Sequence, residues 1–255
     1  MDHVVILSGP LEREIARYTA LGFVVERGGS HPRWGTENAL IVFGDGSYLE
    51  LLAVRDGVRT DHRLWRRPDG TLRRSGTVSA FALGVTDLSA AVARLRAAGV
   101  PCSDPQDGAR LRPDGRRLAW RLAFPDAGEL PFLIEDVTPR ADRVPPPPPG
   151  SLNAGTELAR VSTVSSDPTR AWAAYEAMLH ASPSPSPDAT VAVRVGRGEI
   201  ALRPAYGASE ESGVETITLR VPAGAREALP LVELDGVPCL DPDAVGGLRV
   251  AVTSG

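Results

Sequence analysis

The sequence predicts an α+β protein of paired strand–helix–strand–strand–strand modules, which curl into a cupped mixed sheet around a cavity and are followed by a smaller, degenerate domain of the same type. Three observations predict it. Asp2-His3-Val4-Val5-Ile6, a helical stretch over 11–22 and Gly46-Ser47-Tyr48-Leu49-Glu50-Leu51 recur in the same order as Ser79-Ala80-Phe81-Ala82-Leu83, a helical stretch over 88–99 and Leu130-Pro131-Phe132-Leu133-Ile134-Glu135. One such module cannot bury both faces of a curved sheet, so two must join, and the space between them is where a small molecule binds. Five consecutive prolines at 145–149 then divide the chain, because they fit neither a helix nor a sheet ladder.

Each element follows from its local pattern. His3, Val5 and Leu7 share one face of the first strand, and Val4 and Ile6 share the other. Leu11, Ile15, Tyr18 and Leu21 recur at helical spacing, and Gly22 is a natural stop. Strands are expected at 23–26, 38–43 and 47–53, the last two joined by the Gly44-Asp45-Gly46 turn. The second module repeats the order over 79–136, with a strand at 118–124 that contains Trp120. Modules 1–54 and 78–138 thus make a domain of residues 1–140, and 141–156 is a stiff proline-rich linker. Residues 157–255 form the second domain, with a strand at 158–164, a helix at 168–180, a hairpin of 191–195 and 199–203, and strands at 214–221 and 248–252. An irregular stretch replaces its second helix.

The formal charge of −4 gives no general attraction to nucleic acid, and Arg63, Arg66, Arg67, Arg73 and Arg74 read as a solvated connection between the modules. No apolar run approaches the ~20 residues of a bilayer span, and the N-terminus lacks the basic start and apolar run of a signal peptide. A cytoplasmic protein without a membrane or nucleic-acid partner is expected, with a small-molecule ligand and with pairing into a homodimer open. Cys102 and Cys239 read as separate reduced thiols. All 28 basic residues are arginine, so Schiff-base and P-loop lysine chemistry are excluded. His62 and His180 stand alone on segments that read as exposed.

Asp2-His3-Val4-Val5, Ala20-Leu21-Gly22-Phe23, residues 31–38, Gly46-Ser47-Tyr48-Leu49-Glu50-Leu51 and Arg121-Leu122-Ala123-Phe124-Pro125 before Pro131-Phe132-Leu133-Ile134-Glu135 resemble the glyoxalase-like branch of the vicinal oxygen chelate superfamily, which includes glyoxalase I, extradiol dioxygenases and bleomycin-resistance proteins. The resemblance covers nearly all of residues 1–140 and implies a fold more than an activity. In metal-dependent members the first and last strands of each module each supply one ligand. Carried over, His3 and Glu50 are the ligands of module one, while module two offers Ala80 and, with one residue of slack, Glu135. The resemblance thus implies a three-ligand site of His3, Glu50 and Glu135 for Fe, Mn, Ni, Co or Zn, with one ligand missing.

Read as residues, 31–38 is a loop in which Trp34 can stack on a flat ligand while His31, Thr36 and Asn38 offer polar groups. His31 is the expected proton carrier, because an unperturbed imidazole titrates near neutrality. Tyr48 shares the face of Glu50, and Trp120 alternates with Leu122 and Phe124 as cavity lining or core. In the C-terminal copy Arg160 aligns with His3 and Leu202 with Glu50, which leaves no metal set. The leading expectation is a glyoxalase-like lyase, isomerase or oxygen-chelating enzyme on a carbonyl- or hydroxyl-bearing metabolite, with catalytic residues His3, His31 and Glu50 and substrate contacts from Trp34, Thr36, Asn38, Tyr48 and Trp120. The alternative is a metal-free protein that sequesters an amphipathic molecule, and a scaffold using the C-terminal domain is the third.

Overall fold

A computed structural model describes residues 1–255 apart from 59, 61, 67–70, 72, 180–183, 186–189 and 208–209; Arg67 and His180 lie outside the described residues. Module one runs β1 (His3–Ser8), α1 (Leu11–Ala20), β2 (Glu26–His31), β3 (Thr36–Val42) and β4 (Tyr48–Val54). Module two runs β5 (Thr77–Gly84), α2 (Leu88–Ala97), β6 (Gln106–Leu111), β7 (Arg117–Ala123) and β8 (Phe132–Asp136). The helices form where their apolar side chains recur at three- and four-residue steps. Leu11 and Tyr18 of α1 are buried, as are Leu88, Ala91, Val92 and Leu95 of α2, whose first turn is capped by Asp87 accepting from the Ala90 N–H at 2.9 Å.

Within each module the first and last strands are parallel, β1 with β4 and β5 with β8, and β1 joins β5 antiparallel. The order β1-β4-β3-β2-β6-β7-β8-β5 closes into an eight-stranded barrel, sealed where Ser30 of β2 pairs with Leu111 of β6. The helices cover the outside; the inward faces carry Val5, Leu7, Leu52, Ala82, Leu118, Trp120, Leu122, Phe132 and Ile134.

Three expectations change here. Residues 31–38 are not a loop: β2 starts at Glu26, three residues later than expected, and only 32–35 turn between His31 and Thr36. Gly28-Gly29 hides the strand, because glycine weakens a β pattern, yet a Cβ at Gly28 would collide with Asn38 and lie 2.7 Å from Arg110 Nη1. The alanine opposite His3 is Ala82, whereas Ala80 pairs with Val5. That shift of two keeps the same face, whereas the slip of one at Glu135, described below, turns the side chain to the other face.

After β8, α3 (Arg140–Arg143) precedes the prolines, and Asn153 beyond them docks back on the barrel through its side chain, accepting from Val24 N (2.8 Å) and donating to Val24 O (2.9 Å) and Val42 O (3.0 Å). The second sheet comprises β9 (Glu157–Ser165), α4 (Pro168–Leu179), β10 (Ser184–Pro185), β11 (Val191–Val195), β12 (Gly198–Pro204), β13 (Gly213–Val221), α5 (Ala223–Arg226), β14 (Leu231–Leu234), β15 (Val237–Leu240) and β16 (Val250–Ser254). Its order, β10-β11-β12-β9-β13-β16-β15-β14, repeats that of the barrel, but among the described residues β10 and β14 are not paired and the sheet is open. The second helix shrinks to the four residues of α5, and the expected irregular stretch contains the β14–β15 hairpin. Arg160 stands where His3 does, but the residue at the Glu50 position is Ala201, since Leu202 faces the buried core.

Candidate functional site

The barrel holds a cavity lined by every residue expected from the sequence except Glu135: His3, His31, Trp34, Thr36, Asn38, Tyr48, Glu50 and Trp120. Glu135 lies on the outer, helix-covered face, accepting from the Leu88 N–H at 3.4 Å and sitting 3.3 Å from Arg121 Nη1. Its inward neighbour Ile134 fills the position equivalent to Glu50. The proposed three-ligand set therefore falls to two.

At the floor of the cavity the His3 ring lies between two carboxylates. Nδ1 is 2.7 Å from Asp2 Oδ1 and Nε2 is 3.5 Å from Glu50 Oε2, while the ring stacks on Tyr48 at 4.5 Å between centroids. Burial opposes a charge on His3, but the hydrogen bonds to Asp2 and Glu50 outweigh it and raise its pKa. Burial likewise opposes ionised Glu50, yet His3, and further Asn38 donating at 2.5 Å, bring its pKa down to about 2. The surroundings thus favour an imidazolium facing a carboxylate. Behind it, Arg143 donates to Asp2 at 3.0 Å, to Asp136 at 2.6 and 2.9 Å and to the Tyr48 hydroxyl at 2.7 Å, and Arg140 also pairs with Asp2. Burial opposes its ionisation, but the hydrogen bond with His3 and then the charge of Arg143 hold the Asp2 carboxyl well below the ordinary range.

His31 behaves otherwise than expected. Burial lowers its pKa to about 4, so it is a neutral imidazole at physiological pH, with Nδ1 3.0 Å from the Thr36 hydroxyl. It orients the wall rather than titrating near neutrality. The upper cavity is apolar: Trp34, Leu52, Leu64, Trp120, Leu122, Phe124, Phe132 and Ile134 line it. Trp120 lies against Gly108, where a Cβ would collide with the indole. The free interior amounts to about 40 Å³, room for a few waters.

Sequence reasoning missed His62, Arg110 and Arg143. His62 is buried and meets Trp34 edge-on at 4.6 Å, despite its place in a segment that reads as exposed. Arg143 precedes the prolines and resembles linker, and Arg110 sits in a glycine-containing strand of weak β pattern. An arginine alternating in phase with buried small residues, as in Gly108-Ala109-Arg110, was the available signal.

The donor chemistry tests the implied metal directly. His3 and Glu50 are two ligands, Ala82 and Ile134 replace the other two, and among the described residues no group of three or more His, Cys, Asp or Glu side chains is placed to hold a metal. The residues do not fit such an ion.

A family model described as a glyoxalase-like domain matches residues 1–179. No curated protein matches the chain in sequence. Among solved structures, a hypothetical protein from Staphylococcus aureus is similar at TM-score 0.70 and 12% identity, covering 100% of this chain and 98% of its own. The Mn(II)-bound glyoxalase from Novosphingobium aromaticivorans aligns at TM-score 0.61 and 12% identity over 99% and 80% of the two chains. A mutant 4-hydroxymandelate synthase from Streptomyces coelicolor aligns at 0.59 and 14%, over 100% and 91%. These likenesses establish the fold.

Proposed function

From the premise that the chain belongs to the glyoxalase-like family, we propose that it is a small-molecule enzyme that moves a proton at a carbon beside a carbonyl, with Glu50 as the base, and that it does so without a resident metal. The observation that carries this proposal is the Asp2–His3–Glu50 line, buried on one side and open to an apolar cavity on the other. In the resting site the His3 imidazolium keeps Glu50 a weak base. A carbonyl oxygen that takes the Nε2–H of His3 withdraws that hydrogen bond from Glu50, whose basicity then rises where the carbon acid sits. The same imidazolium stabilises the enolate oxygen that forms, while Asp2, clamped by Arg143, fixes the ring.

Sequestration without turnover is favoured by one specific feature, the aromatic wall of Trp34, Trp120, Phe124 and Phe132. Deuterium exchange into a panel of small ketones, aldehydes and 2-oxo acids in D2O separates the two. An enzyme exchanges the acidic hydrogens, loses about a hundredfold or more of that rate in Glu50→Gln, and keeps it after dialysis against a chelator. Ligand binding without exchange assigns the cavity to sequestration, and exchange that disappears with the chelator overturns the metal-free mechanism.

A further inference from the structure

We infer that the ligand of the barrel cavity carries a carboxylate and that the guanidinium of Arg110 is its docking point. This rests on the proposal that the barrel cavity is the working site, and it names the ligand class. Arg110 projects inward from β6, is 3% exposed and lines the cavity beside Asn38 and Glu50. Its one hydrogen bond among the described residues runs from Nη2 to the Arg143 carbonyl at 3.0 Å, and its buried Nε has no acceptor.

The neighbouring buried arginine is the internal control. Arg143 is equally buried, but Asp2 and Asp136 meet its guanidinium with two carboxylates. Arg110 has no ion-pair partner among the described residues, and burial pulls its pKa down, although not enough to discharge a guanidinium. A buried cation without a counter-ion is costly, and it becomes favourable when an anion arrives to share the same dry space. A carboxylate matches the planar fork, the aromatic walls accept the rest of a flat molecule, and Asn38, which donates to Glu50, lines the cavity beside Arg110. The docked acid thus presents its adjacent carbon toward the base.

Isosteric acid and amide pairs test this: acetate against acetamide, which fits with least movement, and benzoate against benzamide. Binding is read by tryptophan fluorescence and by the melting-temperature shift, with sodium chloride at matched ionic strength as the control. In the wild-type chain at least one acid should bind about tenfold or more tighter than its amide. Arg110→Gln should erase that ratio, and Arg110→Lys should keep part of it. Glu50→Gln should retain or strengthen acid binding whatever it does to exchange, which keeps a failure of the base assignment distinct from a failure here. If neither acid outbinds its amide in the wild type, the inference is wrong, and that result does not depend on a variant folding. An Arg110→Gln chain that melts lower but keeps the acid preference makes Arg110 a structural prop for α3.

Discussion

Two equally buried histidines in one cavity have their pKa values moved in opposite directions, because burial prevails at His31 whereas two carboxylates outweigh it at His3. His3 has a carboxylate at each ring nitrogen; among the described residues His31 has only the Thr36 hydroxyl at hydrogen-bond distance. Linkage turns this into a stability profile. His31 has a depressed pKa, so its contribution is complete above 6.5 and is lost as pH falls toward about 4, because the unfolded chain takes up the proton first. His3 has a raised pKa, so its contribution is present below 6.5 and is lost as pH climbs through the raised value. Glu50, lowered from 4.5 to about 2, loses its contribution only below 4.5. Urea unfolding measured between pH 6.5 and 4.5 therefore isolates His31: the wild type should lose stability across that window and His31→Gln should be nearly flat. His3→Gln should instead flatten the alkaline limb. An unchanged acid slope in His31→Gln would show that the imidazole is protonated in the folded chain.

At the scale of elements, β2 explains how much of the site was legible. The first and last strands of module one follow a clear alternation, so His3, Tyr48 and Glu50 were placed on one face from the sequence alone. β2 contains Arg27-Gly28-Gly29-Ser30, which no β pattern favours, and its register shifts between Arg27 and Gly29. Its inward position at Gly28 is a gap that Asn38 and Arg110 fill from neighbouring strands, and single-sequence periodicity does not report a gap. β8 failed differently: Ile134 and Glu135 are adjacent, and an alignment with one residue of slack chose the wrong face. Gly28→Ala tests the gap. A methyl group there must displace both Asn38 and Arg110, so ligand binding and exchange should fall by about tenfold or more while overpacking costs ~1–3 kcal/mol of stability. If binding and exchange survive in a folded Gly28→Ala chain, those two side chains do not hold the site.

At the scale of the molecule, the C-terminal sheet repeats the strand order of the barrel but lacks its chemistry: Arg160, Ala201, Thr218 and Ala251 hold the positions of His3, Glu50, Ala82 and Phe132. It joins the barrel through a shared apolar core and a bonded connection. One apolar cluster runs without a break from Val4, Leu88 and Leu95 to Tyr175, Ile200 and Val252. The Tyr175 hydroxyl donates to Glu129 O at 2.9 Å, and Ser165 donates to the Glu129 carboxylate at 2.7 Å. Gly44 N on the barrel lies 2.9 Å from Asn153 O and 3.0 Å from Thr156 O, so the chain between the sheets is bonded to the first before it enters the second. Two units joined only by a proline rod would melt separately, whereas units sharing a core and a bonded connection melt as one. Calorimetry of the full chain should show a single transition, with the calorimetric enthalpy equal to the van't Hoff value and near ~180 kcal/mol at about 60 °C for a chain of this length. Two resolved transitions would mean that the barrel holds Arg143 and its cavity without the second sheet. Asn153→Ala sharpens the test, because it leaves the Val24 and Val42 groups unpaired and removes the docking side chain without touching either core. That variant should lower the single melting temperature and broaden the transition, and it should loosen Arg143 enough to weaken ligand binding at a cavity that Asn153 does not line.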